Sequence, residues 1–121
     1  MKKAIVILLI ILCSCNKEEA LEGVCYKGKL VIKGICTNYV VQLTEGTIDS
    51  LLIERTWKNP LSDSIYKNVF AIANFCDPIP NLKEGDSFYF TIPTTTKNES
   101  CVKCLAYSPV PEKTIFIKIC N

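Results

Sequence analysis

The chain has no histidine, one methionine and one tryptophan among its 121 residues. Without histidine there is no Ser–His or Cys–His nucleophilic pair and no side chain that titrates by default near neutral pH. The nitrogen ligand that completes most mixed zinc sites is missing too. Neither sign of charge dominates, with 14 Lys and Arg against 12 Asp and Glu. No basic cluster stands ready to neutralise phosphates, which argues against nucleic-acid binding. Long apolar runs are absent apart from Ala4 to Leu12. As a helix that run measures about 14 Å, against about 30 Å of bilayer core, so it is too short to cross a membrane. No repeat, low-complexity block or second domain is visible.

What the short run does offer is an address. Lys2 and Lys3 precede it, and Leu12-Cys13-Ser14-Cys15 follows. A basic start, a short apolar core and a small residue before a cut site read as an export signal. Leu12, Ser14 and Cys15 at minus three, minus one and plus one resemble the lipobox of a bacterial lipoprotein precursor. That resemblance implies cleavage before Cys15 and acylation of its thiol. Lipoproteins of this type carry more than one acyl chain, and each buried methylene adds about 0.8 kcal/mol to anchoring. The tetrad Asn16-Lys17-Glu18-Glu19 resembles the acidic export signal of Bacteroidota surface lipoproteins. It implies an outer-membrane protein displayed at the cell surface, the periplasmic face being the alternative. The expected organisation is a signal peptide at 1–14, an acylated tether at 15–23 and a β domain at 24–121. Removal of Lys2 and Lys3 with the signal leaves the mature chain formally neutral.

Cysteine usage agrees with export. Of eight cysteines, Cys13 leaves with the signal and Cys15 is acylated. Cys25, Cys36, Cys76, Cys101, Cys104 and Cys120 remain, an even set that implies three disulfides in an oxidising compartment. Strand parity favours one pairing: Cys25 shares the face of Lys27 and Lys29, Cys120 that of Lys118, and both lie near the domain's ends. A Cys25–Cys120 bridge is therefore expected, and Cys36, Cys76, Cys101 and Cys104 supply the other two.

The remainder reads as β structure cut by turns. Leu30-Val31-Ile32 lies in a lysine-decorated segment, with Lys27, Lys29 and Lys33 on one face and Gly28, Leu30 and Ile32 on the other. Tyr39 to Leu43 follows, ending at Glu45-Gly46. Phe88, Phe90 and Ile92 alternate with Tyr89 and Thr91, and Pro93 stops the run. Thr114 to Lys118 forms the last strand, with Ile115, Ile117 and Ile119 on one face. Thr47 to Trp57 fits a short helix or a strand, and Val69 to Phe75 is read as a buried strand. The segment Leu82 to Phe90, with its Gly85-Asp86 turn feeding a strand, resembles OB-fold proteins. The expected fold is all-β: a disulfide-stabilised, five-stranded, partly open OB-like barrel or sandwich with at most one short helix.

Candidate chemistry is sparse. Cys101-Val102-Lys103-Cys104 has dithiol spacing but follows a polar loop rather than opening a helix, so structural bridges are expected. Asp77, Glu84, Asp86 and Glu112 show no spacing that would pair two carboxylates for glycoside chemistry. No catalytic, metal-ligating or cofactor-binding residue is nominated. Asp49-Ser50-Leu51 and Asp63-Ser64-Ile65 resemble the O-glycosylation acceptor of exported Bacteroidota proteins, which makes Ser50 and Ser64 candidate acceptors. Outward aromatics such as Tyr89 suit binding of a protein or glycan. The expectation is a membrane-anchored, non-enzymatic binding or structural module. The alternative is an inhibitor-like protective lipoprotein, blocking a hydrolase with a fixed loop such as Asp77-Pro78-Ile79-Pro80.

Overall fold

The computed structural model describes residues 23–96 and 98–120. The signal, Cys15 and Asn16 to Glu19 lie outside the described residues. Five strands of five residues or more carry the fold: β1 (Tyr26–Lys33), β2 (Tyr39–Glu45), β3 (Glu54–Lys58), β4 (Ile65–Ile72) and β5 (Ser87–Thr91). Two short strands follow, β6 (Thr114–Ile115) and β7 (Lys118–Ile119). They form one seven-stranded sheet in the order β3-β4-β2-β1-β5-β7, with β6 also paired to β4. The all-β, disulfide-braced architecture matches expectation, and the sheet does not close into a barrel.

Period-two patterning explains most of it. β5 is built from β-formers whose alternation buries Phe88 and Phe90 and turns Tyr89 out. It pairs antiparallel with β1, Tyr26 opposite Phe90 and Gly28 opposite Phe88. Gly28 is needed there: a Cβ on it would stand 2.7 Å from Val41 Cγ1 and 3.0 Å from the Phe90 ring. The Gly85-Asp86 turn docks on β1 as well. The Gly85 N–H donates to Leu30 O at 2.7 Å, the Leu30 N–H donates to Asp86 O at 2.9 Å, and Gly85 holds φ at +96°. Tyr26, Leu30, Val41, Phe70, Phe88, Phe90, Ile115 and Ile117 make the centre of the core. Phe90 is its hub, with ring centroids 5.5–5.8 Å from Phe70, Tyr26 and Phe88.

Several expectations need correction. Alternation in β1 stops at a register shift between Leu30 and Ile32, so Ile32 is only half-buried. Thr47 to Trp57 contains no helix. Asp49 builds a turn, its carboxylate and carbonyl accepting the Leu51 and Leu52 N–H groups at 2.9 Å, and β3 begins at Glu54. Ile48 and Ile53 enter the core from either side of that turn, while Leu51 and Leu52, which stand at helical spacing from Ile48, face solvent. The Thr114 to Lys118 run breaks in two. β6 lies parallel to β4, whereas β7 lies antiparallel to β5. The segment thus steps from one side of the curled sheet to the other, with Ile117 buried at the step. Buried Asn74 fixes it there, donating to and accepting from the Ile117 backbone at 3.0 Å each way.

Candidate functional site

Among the described residues three disulfides form: Cys25–Cys120, Cys36–Cys104 and Cys76–Cys101. The first is the pair that strand parity favours. The other two converge on one irregular segment, so Cys101 and Cys104 are not bonded to each other. Each ties the segment to a different part of the body: Cys101 to the chain after β4, Cys104 to the turn between β1 and β2.

That turn is built to receive the segment. Gly34 to Asn38 forms a tight loop closed by the Gly34 N–H on Asn38 O and the Asn38 N–H on Ile35 O, at 3.1 and 3.0 Å. Within it Cys36 and Thr37 both hold positive φ, 55° and 58°. Neither is a glycine, so each carries about 1–2 kcal/mol of backbone strain. The Asn38 side chain then reaches across, its Nδ2 donating to Ala106 O at 3.0 Å. Ser108 lies so close over the turn that a Cβ on Gly34 would stand 2.4 Å from Ser108 Oγ. That hydroxyl is buried with no hydrogen-bond partner among the described residues.

The other side is fixed as firmly. Glu99 accepts the Phe75 and Cys76 N–H groups, one on each carboxylate oxygen, both at 2.9 Å. Lys103 folds back so that its ammonium sits 5.9 Å from the Phe75 ring centroid. With the polar side chains occupied, the apolar ones stand in water: Val102 is 94% exposed, Leu105 86% and Tyr107 71%. Ile35, next to Cys36 on the receiving turn, is exposed as well. A doubly bridged loop with an apolar tip is a preorganised contact surface, because the entropy of ordering it is lost on folding rather than on binding. Sequence reasoning missed this tip. The signal was there in Val102, Leu105 and Tyr107 interleaved with Cys101 and Cys104.

Other sequence candidates are placed differently. Asp77 to Pro80 does not project as a free loop. Ile79 is buried, its N–H donates to Asp77 Oδ1 at 2.9 Å, and the Tyr39 hydroxyl donates to Asp77 Oδ2 at 2.6 Å. Burial first, then that hydrogen bond and the carboxylate's charge, push the Tyr39 phenol well above its ordinary pKa. Cys76, Glu99 and Cys101 bring donor atoms within 4.8 Å of one another. The two sulfurs are bonded to each other and the carboxylate is engaged by two amides, so the trio offers no thiolate to a metal. Asp86 serves its turn by accepting the Lys83 N–H at 2.9 Å, and Glu84 accepts the Lys33 N–H at 2.9 Å. Ser50, on a turn, and Ser64, in the connection just before β4, are both exposed. Tyr26 and Tyr39 are in the core, while Tyr89 faces out with the Lys27 ammonium 5.8 Å from its centroid.

A shallow groove of about 980 Å³ runs beside the Cys25–Cys120 bridge, lined in part by Asn74, Thr95, Asn98, Glu99 and Lys118. Two of its polar side chains, Asn74 and Glu99, are already bound to backbone. Comparison with known protein families, curated proteins and solved structures finds no match.

Proposed function

We propose that this chain is a lipoprotein of the bacterial envelope, acylated on Cys15, whose folded part is a non-enzymatic binding module. Contact with a protein or glycan partner would run through the loop from Cys101 to Tyr107. The observation that carries the reading is the loop itself: apolar side chains held out in water by two disulfides, an Asn38 bridge and a Glu99 clamp. Three large apolar side chains so exposed within six residues of one braced segment are the kind of surface that a partner would cover. Position supports it too. The tether joins the domain just before β1, and Cys36 follows the far end of β1. Eight residues of strand extend about 26 Å, so the clasp on Cys104 lies a strand's length from the anchored end. Outer-membrane display at the cell surface follows from the tetrad after Cys15, with Ser50 and Ser64 as accessible O-glycosylation candidates.

The inhibitor-like reading keeps a place because a loop braced from both sides is what blocking a hydrolase requires. It moves from Asp77–Pro80, which is docked, to Cys101–Tyr107. Two measurements test the proposal. Native protein should carry acyl mass on Cys15 and lose it, with its membrane association, in Cys15→Ser. Replacing Val102 and Leu105 by Ser should leave stability within about 0.5 kcal/mol yet abolish partner retention on the immobilised domain. Retention unchanged in that variant would refute the loop's role. Loss of hydrolase activity in the bound complex would select the inhibitor.

A further inference from the structure

We infer that β3 is a self-pairing edge, through which a second copy of this chain adds its own β3 antiparallel about a two-fold axis at Thr56. Among the described residues β3 ends the sheet, hydrogen-bonded to β4 alone. It contains no proline, glycine or register shift across Glu54–Lys58. Arg55, Thr56 and Lys58 are exposed, and Glu54 and Trp57 are half-exposed.

The phase of the backbone is right for such pairing. The Asn59 N–H donates to Ser64 O at 2.9 Å, so alternation turns the Trp57 and Arg55 backbone groups toward β4. Those of Glu54, Thr56 and Lys58 then point to the open edge. An antiparallel partner centred on Thr56 meets these groups in hydrogen-bonded pairs.

The side chains favour that register. It sets Glu54 opposite Lys58 of the second copy, Lys58 opposite its Glu54, and Thr56 opposite Thr56. On the other face Arg55 meets Trp57, whose ring already stacks on Tyr66 with centroids 5.9 Å apart. Opposite charges, a Thr–Thr pair and a cation over an aromatic are all favourable cross-strand neighbours. Lys58 now reaches Asp63 at 3.6 Å, an ion pair with both side chains largely exposed and therefore easily exchanged. Charged residues on an edge usually prevent pairing. Here the palindromic order Glu-Arg-Thr-Trp-Lys makes them complementary to themselves, and the resulting contact is closed and isologous. The inference concerns the folded domain and does not depend on acylation.

A charge-exchange experiment on the full chain, followed by sedimentation velocity, tests it. The unaltered chain should show a concentration-dependent dimer between micromolar and millimolar. Glu54→Lys and Lys58→Glu each place like charges opposite one another, and each should weaken the dimer about tenfold or more. Mixing the two variants restores opposite signs at both pairs and should recover a heterodimer of unaltered strength. Thr56→Pro, tolerated on an edge but lacking the N–H at the two-fold, should be monomeric with its disulfides intact. A chain monomeric at millimolar concentration overturns the inference. So does a dimer indifferent to the single changes, or a mixture no stronger than its components.

Discussion

Removing Cys36 and Cys104 together should cost less stability than removing Cys25 and Cys120, although both bridges close long loops. The sequence separations are 68 and 95 residues. Chain-entropy arguments give about 4.4 and about 4.7 kcal/mol for loops of those lengths, a difference too small to detect. The structure separates them. Losing Cys36–Cys104 frees a turn in which Cys36 and Thr37 both hold left-handed backbone. About 1–2 kcal/mol of strain per residue is then available for release. The loop it holds buries no large apolar side chain between Cys101 and Tyr107. The net cost should be about 0.5–2.5 kcal/mol. Losing Cys25–Cys120 releases no such strain and unmoors two-residue β7, together with the Cys120 N–H on Tyr89 O at 3.0 Å. Its cost should approach the full 4–5 kcal/mol, comparable with the whole stability of many small domains. Urea unfolding of the two double-alanine variants, with the remaining bridges verified by peptide mass, measures both. The reasoning fails if the Cys36–Cys104 variant is as destabilised as the Cys25–Cys120 variant, or more so.

Tyr39 makes stability depend on alkaline pH. Its folded pKa is raised above the unfolded value of 10.0, so its contribution is complete below pH 10 and disappears as pH climbs beyond it. Tyr39→Phe should flatten that decline while costing about 1 kcal/mol at neutral pH from the lost Asp77 hydrogen bond, read by urea midpoints across the alkaline range. Phe90→Ala, which empties a fully buried site among Tyr26, Phe70 and Phe88, should cost about 3–5 kcal/mol by the same assay. Gly34→Ala should lower the thermal midpoint by several degrees, about 1–3 kcal/mol of overpacking. The added carbon would stand 2.4 Å from Ser108 Oγ and 2.7 Å from Asn38 O, and the second is backbone that cannot swing aside. An unchanged midpoint would mean that Ser108 does not lie over the turn as described.

Legibility followed periodicity. β5 and the buried half of β4 were readable because side-chain alternation or an unbroken apolar run is all that defines them. Cys25–Cys120 was readable because parity and position leave those two outside the core at the domain's ends. Thr47 to Trp57 resisted because Ile48, Leu51, Leu52 and Arg55 fall at helical spacing, whereas the fold buries Ile48 and Ile53 on either side of a turn and leaves Leu51 and Leu52 exposed. The last strand was misjudged because its break at Phe116-Ile117 is imposed by Asn74, a contact 43 residues away. The clasped loop was missed for a related reason. Cys101 and Cys104 look like one dithiol until the fold delivers Cys76 and Cys36 to separate sides of it. Linear spacing carries no information about which distant turn a cysteine will meet.

The Cys25–Cys120 linkage has a consequence for survival in a hostile medium. It joins the residue just before the first strand to the residue just after the last, so nearly all the folded polypeptide is a covalent ring. One peptide-bond scission in the exposed Cys101–Tyr107 stretch would open that ring without detaching either fragment. The nicked molecule would keep every residue and gain only the water of hydrolysis until a reductant arrived, and damage would stay invisible to any assay that counts only what has been shed.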